Sequence, residues 1–184
     1  VRCHLRRIVR RIRAHWPTTK ITIRGDGHYG RRAVMDWCED NGLEYVFGLS
    51  GNRILAVAVD VEADDIRTRR ALKQMLVLRG YAQTSYGAKS WRGERRVCAR
   101  IEATELGLDI RYVVTNITTG SAEHIYDTLY CARGQMENLI KLHKSQLASD
   151  RTSCRSPLAN QMRLFLHTCC RPLISGHGLH SLFD

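Results

Sequence analysis

The sequence predicts an α/β fold, because strand and helix patterns alternate along the chain. Residues 21–26 and 44–49 are short runs of β-branched and apolar residues, which is the pattern of buried strands. A helical pattern over 31–41 lies between them, so these segments predict a βαβ unit with a parallel strand pair. A strand over 111–117 and a long helix over 122–147 follow.

The remaining segments are predicted in chain order. Residues 2–15 have a helical apolar stripe surrounded by six arginines, and Pro17 ends that helix. Gly42 follows the second helix as its C-cap. A charged, mostly helical stretch is predicted over 52–79, and two short strands over 81–86 and 94–102. A last helix is predicted over 158–170, and a loose tail over 171–184.

The charge of the chain favours a polyanionic partner. The sequence has 29 Lys and Arg against 18 Asp and Glu, which gives a net charge of +11. Such a surplus is most often found in nucleic-acid-binding proteins, and arginine suits bidentate phosphate contacts. No run approaches 18 apolar residues, so no membrane span is predicted. Residues 1–25 contain no Asp or Glu and begin at Val1, from which we expect a longer protein on the N-terminal side.

The seven cysteines indicate reduced thiols rather than a disulfide framework or a zinc site. None of them forms a Cys-x-x-Cys pair, and the eight histidines lack zinc-finger spacing relative to them. Cys38 and Cys98 have apolar neighbours, which predicts that both lie in the core.

Four polar residues share one face of the long helix. Tyr130, Arg133, Glu137 and Lys144 fall within roughly 60° of one another at helical spacing. A carboxylate among cations can hold a divalent metal, and the cations and the tyrosine can hold phosphates. The alternative is a solvated helix face with ordinary ion pairs.

Asp26 is a second candidate. It follows a strand and precedes Gly27, and ligand sites of open parallel sheets collect at the carboxyl ends of strands. The alternative is an aspartate in a turn before glycine.

Several ordered motifs then resemble the C-terminal half of a DDE transposase from a bacterial insertion sequence. The resemblance runs from about residue 19 to residue 166 and includes the Tyr-x2-Arg-x3-Glu-x6-Lys signature of one large branch. The motifs are RGDGHYGR, WCEDNGLEYVFGL, SWRGERRV, RYVVTN, YCARGQMEN and DRTSC with ANQMRL.

The resemblance implies an RNase H-like catalytic core in which three carboxylates hold two Mg²⁺ ions, with Mn²⁺ as a substitute. Asp26 matches the second carboxylate and Glu137 the third, while Tyr130, Arg133 and Lys144 match positions that hold DNA near the transposon end. The implied activity is metal-dependent cleavage and transfer of DNA strands. The implied setting is a homodimeric intact enzyme in the bacterial cytoplasm, associated with the nucleoid.

The resemblance also implies a division of the chain. Residues 1–50 would belong to the core, 51–109 to a helical and β-rich insertion, 110–170 to the rest of the core, and 171–184 to a loose tail. Trp91 would then lie in the insertion, where it either stacks against an unstacked base or packs internally.

One departure from the family pattern limits what we expect of these 184 residues. The family's first catalytic Asp lies upstream on the first strand of the core, and no acidic residue precedes Asp26. We therefore expect a C-terminal fragment with an incomplete site that is inactive alone. The alternatives are a non-catalytic basic nucleic-acid-binding module and a related RNase H-like nuclease.

Overall fold

The computed structural model describes residues 2–133, 141, 144, 154–162 and 166. The chain divides into two compact units, Val1–Ala132 and Arg133–Asp184. The fold described below is that of the first unit. In the second unit, residues 157–162 are helical, as are 141, 144 and 166, whereas the predicted tail over 171–184 lies outside the described residues.

The first unit alternates helices and strands along most of its length. In chain order, its elements are α1 (Arg2–His15), β1 (Thr22–Gly25), α2 (Arg32–Asp40), β2 (Glu44–Leu49), α3 (Arg53–Ala58), α4 (Asp60–Leu72), β3 (Val77–Tyr86), β4 (Arg95–Thr104), β5 (Gly107–Thr115) and a π-helix (His124–Tyr130). A 3₁₀ turn, Cys131–Arg133, follows the π-helix. None of the helices among the described residues is long and apolar enough to cross a membrane.

The βαβ prediction is confirmed by the pairing of β1 and β2. The two strands are parallel, with Ile23 opposite Tyr45 in the register. Gly42 lies just beyond α2 with a φ of 61°, a left-handed conformation that favours glycine. Its backbone N–H donates to the carbonyl of Glu39, and that of Leu43 donates to Cys38, which is the hydrogen-bond pattern of a Schellman motif.

All five strands belong to one sheet with the order β1-β2-β5-β4-β3. Only β1 and β2 are parallel, and the other neighbours are antiparallel. The prediction of helix up to residue 79 was wrong, because Val77 pairs with Thr104 at the start of β3. The strands predicted over 81–86 and 94–102 are both longer, since β3 and β4 pair along ten residues each. The assignment of 51–109 to an insertion stays a prediction.

Alternating residues of the strands supply two buried faces. Tyr45 and Phe47 of β2 belong to a cluster that also contains buried residues of α2, α3 and α4. Val46, which lies between them, belongs to a second cluster with Ile125 and Tyr126 of the π-helix. The sheet therefore has α-helices on one face and the π-helix on the other. Cys38 and Cys98 are fully buried, as predicted.

The helix predicted from residue 122 has an unexpected geometry. Ser121 acts as its N-terminal cap, since its Oγ accepts a hydrogen bond of 3.1 Å from the backbone N–H of His124. From His124 to Tyr130 the helix is π-helical rather than α-helical. Each π turn contains more residues than an α turn. The face predicted for Tyr130, Arg133, Glu137 and Lys144 assumed α-helical spacing, so the direction of its first residue, Tyr130, differs from that prediction.

Candidate functional site at the carboxyl end of strand β1

Asp26 lies immediately after β1, at the carboxyl end of the parallel pair. One oxygen of its carboxylate, Oδ1, accepts a hydrogen bond of 3.0 Å from the backbone N–H of His28. Its carbonyl oxygen accepts a second, also of 3.0 Å, from the N–H of Tyr29. This is an aspartate-stabilised turn. The turn fixes the partly buried Asp26 side chain at the strand end, where ligand sites of such sheets are found.

Gly48 of β2 forms the wall beside this turn. A Cβ at Gly48 would lie 2.8 Å from the Tyr130 hydroxyl, 3.0 Å from the Gly27 nitrogen and 3.3 Å from the carbonyl carbon of Asp26. These distances place the Tyr130 hydroxyl within about 6 Å of the Asp26 backbone. A side chain at position 48 would therefore occupy the space in which the tyrosine and the aspartate turn meet.

The π-helix that carries Tyr130 is attached to β1 by a hydrogen bond. The Nη1 of Arg24 donates to the carbonyl oxygen of Leu129 at 2.7 Å. The ring of Tyr130 contacts the ring of Tyr126 edge-on, with 5.5 Å between centroids. Tyr126 is buried, and its burial raises the pKa of its phenol to about 12. Two contacts therefore position Tyr130: the hydrogen bond that attaches the preceding residue to β1, and the packing of its ring on a buried, neutral tyrosine.

The loop that leads into the π-helix is held by one arginine. The guanidinium of Arg96, on β4, donates to the carbonyl oxygens of Ile117, Thr119 and Gly120 at 3.1, 3.3 and 2.7 Å. It also donates to the side chain of Gln83 on β3 at 2.7 Å. Arg96 therefore fixes the entry of the π-helix relative to two strands of the sheet.

A buried ion-pair cluster fixes α2, the helix that follows the Asp26 turn. The guanidinium of Arg95 donates to Glu39 and to Asp36, each at 2.7 Å. Burial alone would raise the pKa of Asp36, but the hydrogen bonds from Arg95 and Arg32 and the charge of Arg92 outweigh it and lower that pKa. The hydrogen bond from Arg95 is the main cause that lowers the pKa of Glu39.

Trp91 lies beside this ion-pair cluster and contacts Arg95. Its ring contacts Tyr86 edge-on at a centroid distance of 5.4 Å, and the Arg95 guanidinium lies 5.2 Å from its ring centre. Trp91 is partly buried against the core. One of its ring faces is therefore covered by a cation, in a cation–π contact.

A family model described as transposase DDE domain, group 1, matches residues 1–176 of the chain. The chain belongs to this DDE transposase family. No curated protein and no solved structure matched the chain significantly.

The five-stranded mixed sheet with its helices is consistent with a DDE transposase domain. Of the predicted site residues in this domain, Asp26 and Tyr130 lie together beside Gly48. Arg133 ends the 3₁₀ turn that follows Tyr130. Lys144, in the second unit, is helical and exposed. Glu137 lies outside the described residues. Sequence reasoning missed Gly48, although a glycine inside a strand pattern is a known signal of close backbone approach.

DDE transposase domains generally use divalent metal ions. Within the described part of the chain, no group of three or more acidic, histidine or cysteine side chains could hold one. The carboxylate of Asp26 has the oxygen donors that Mg²⁺ prefers. The absence of a side chain at Gly48 lets the Tyr130 hydroxyl and the Asp26 turn both approach strand β2 closely. The described residues therefore fit one part of such a site.

Proposed function

We propose that this chain is the C-terminal part of an insertion-sequence transposase that cleaves DNA strands and joins them to a target. The single observation that carries the proposal is the meeting of Asp26 and Tyr130 at Gly48. The two residues are distant in the sequence, and each was expected in the site from a different motif. Their proximity is what a shared site for the scissile phosphate requires.

In this proposal, Asp26 and Glu137 hold Mg²⁺, for which Mn²⁺ substitutes. When bound, two such ions activate a water or a 3′-hydroxyl and stabilise the leaving oxygen in an in-line displacement. Asp26 is suited to this role because the hydrogen bond from the His28 N–H orients its carboxylate before any ion binds. An aspartate that is already ordered loses less conformational entropy on binding.

Tyr130, Arg133 and Lys144 bind the DNA backbone near the transposon end in this proposal. The Tyr130 phenol can donate one hydrogen bond to a phosphate oxygen beside the Asp26 turn. Arg133 ends the 3₁₀ turn that follows the π-helix, and a guanidinium can bind a phosphate with two hydrogen bonds. Trp91 is proposed to stack on an unstacked base through the part of its ring that stays exposed.

The first of the three carboxylates has no counterpart in residues 1–25, which contain no Asp or Glu. We propose that it belongs to a preceding core strand of the intact transposase. The 184-residue chain alone is then expected to bind DNA without cutting it. The intact enzyme is proposed to act as a homodimer on transposon ends in the bacterial cytoplasm, associated with the nucleoid. The β-rich insertion over 51–109 is part of the same proposal.

The test is DNA cleavage by the intact transposase that contains this chain. Asp26→Asn and Glu137→Gln should each lower cleavage by several orders of magnitude, because such residues act as a unit. Asp65→Asn is the matched control, since Asp65 is an exposed carboxylate paired with Arg69 on α4. Its cleavage rate should be unchanged. If Asp26→Asn cleaves as fast as Asp65→Asn, the proposed site is wrong.

The isolated chain gives a second test. It should not nick a labelled transposon-end duplex with Mg²⁺ or Mn²⁺. Metal-dependent nicking by the isolated chain that disappears in Glu137→Gln would overturn the proposal of a missing carboxylate.

A further inference from the structure

The first helix, α1, carries an unusual concentration of positive charge. Over Arg2–His15 it has six arginines and no acidic residue. Five of the six arginines are exposed, and Arg13 is partly buried. Among the described residues, none of the six has a carboxylate within ion-pair distance, and Arg13 donates to the carbonyl of Pro17 at 3.1 Å. The helix therefore presents charge that the described protein does not neutralise.

The arginines occupy an arc of α1 that begins beside its packed residues and continues onto the exposed side. Leu5 and Val9 pack against the core cluster and fix one side of the helix. At about 100° per residue, the six arginines cover roughly half of the circumference. From Arg2 to Arg13 they extend about 16 Å along the axis, at 1.5 Å per residue. The result is a broad and continuous cationic strip.

The arginines of α4 are arranged differently from those of α1. On α4, Arg67 pairs with Asp64, and Arg69 pairs with Asp65 at 3.1 Å. Arg70, on the same helix, pairs with Glu105 at 3.2 Å. Here each arginine has a carboxylate partner. The two helices are of similar length, so the difference is that α1 has no carboxylates of its own or from neighbouring described residues to pair with its arginines.

We propose that α1 is a DNA-binding surface that contacts the phosphate backbone of a duplex, separate from the site at Asp26. This inference rests on the proposed function for its choice of DNA as the polyanion. Duplex DNA carries one negative charge per 1.7 Å of its axis, so about nine phosphate charges lie along a strip of this length. Guanidinium groups bind phosphates with two hydrogen bonds each.

The composition of the strip points to the backbone rather than to base edges. Helices that read bases present a few side chains on one narrow face, with arginine for guanine and Asn or Gln for adenine. On α1 the arginines instead spread over about half of the circumference, and the helix contains no Asn or Gln. The strip should hold the flank of the DNA in position without selecting its sequence.

The experiment measures how the affinity of the 184-residue chain for a labelled duplex depends on salt. Arg7→Gln/Arg11→Gln removes two unpaired arginines, and Arg67→Gln/Arg69→Gln removes two paired ones from α4 as a charge-matched control. The slope of log K against log[salt] should become shallower by about 1.8 in the α1 variant, for two lost phosphate contacts. The control slope should stay close to that of the unmodified chain. Arg7→Lys/Arg11→Lys should keep most of the slope, because the charge is retained.

Circular dichroism verifies that each variant is folded before its affinity is compared. Equal slopes for the α1 variant and the α4 control would overturn the inference. Binding to vesicles that contain anionic lipid is measured in parallel. If Arg7→Gln/Arg11→Gln lowers vesicle binding and leaves duplex binding unchanged, the strip is a lipid surface and the inference is wrong. Neither result would alter the cleavage test of Asp26, so failure of this inference and failure of the proposed function are distinguishable.

Discussion

Replacing Arg95 by methionine should strongly destabilise the fold. Arg95 has a side chain that is only 6% exposed, and it pairs with Asp36, which is 10% exposed. Breaking a buried pair by removing one partner costs about 3–5 kcal/mol, and because Arg32 and Arg92 still compensate part of the Asp36 charge, we expect the lower end of that range. For a chain of this size, such a loss should lower the melting temperature by roughly 10 °C. Urea unfolding at pH 7 measures the free energy of unfolding directly.

The pH dependence of this loss tests its cause. Arg95 holds the pKa values of Asp36 and Glu39 below their ordinary range, so the stability it contributes is present above about pH 4 and is lost as pH falls through the lowered pKa values. In Arg95→Met both carboxyls can become protonated at a higher pH. The difference in unfolding free energy between the two proteins should therefore shrink from pH 7 toward pH 3.

Two further variants serve as controls for this prediction. Arg95→Met/Asp36→Asn should recover part of the loss, because it removes the buried Asp36 charge as well as the Arg95 charge. Arg69→Met, at an exposed pair with Asp65, should cost little, since such pairs are screened by water. A loss in Arg95→Met of less than 1 kcal/mol, or one that is equal at pH 7 and pH 3, would refute the reasoning.

Two other predictions concern the site and the core. Gly48→Ala should destabilise the fold by about 1–3 kcal/mol in urea unfolding, because the new Cβ overlaps backbone and the Tyr130 hydroxyl, whereas Gly27→Ala, with its nearest contact at 3.8 Å, should be close to neutral. Equal effects of the two substitutions would contradict this. The Cys38 thiol should resist alkylation at pH 8 while Cys3, which is exposed, reacts, because burial and the charge of Glu39 raise the pKa of Cys38 to about 12. Mass mapping of the alkylated peptides measures both rates, and labelling of Cys38 at the rate of Cys3 would show the prediction to be wrong.

The sequence predicted the elements whose signals are local. β1, α2 and β2 were found because a strand pattern, a helical pattern and Gly42 follow one another within a short segment. The order of the sheet could not be predicted in the same way, since β5 lies between β2 and β4 through pairings of residues distant in the chain. The start of β3 at Val77 was missed for the same reason, because pairing with β4 outweighs the local helical tendency.

The residues of the candidate site were proposed where single residues carry a family signature. Asp26 and Tyr130 were identified from their motifs, and the structure brings them to the same glycine. Gly48 itself was missed because its role depends on what approaches it from the neighbouring loop and helix. The unpaired state of the arginines on α1 was equally invisible, since the sequence shows the charge of a helix but not the distance to its partners.

The π-helix has a consequence for how the chain tolerates insertions and deletions. A π-helical stretch is equivalent to an α-helix into which one residue has been inserted. Deleting one residue between His124 and Tyr130 should therefore restore a regular helix and leave Tyr130 close to its position at Gly48. An insertion or deletion in the loop before the cap at Ser121 has no such reserve, so the irregular helix is the segment in which this part of the chain can change its length.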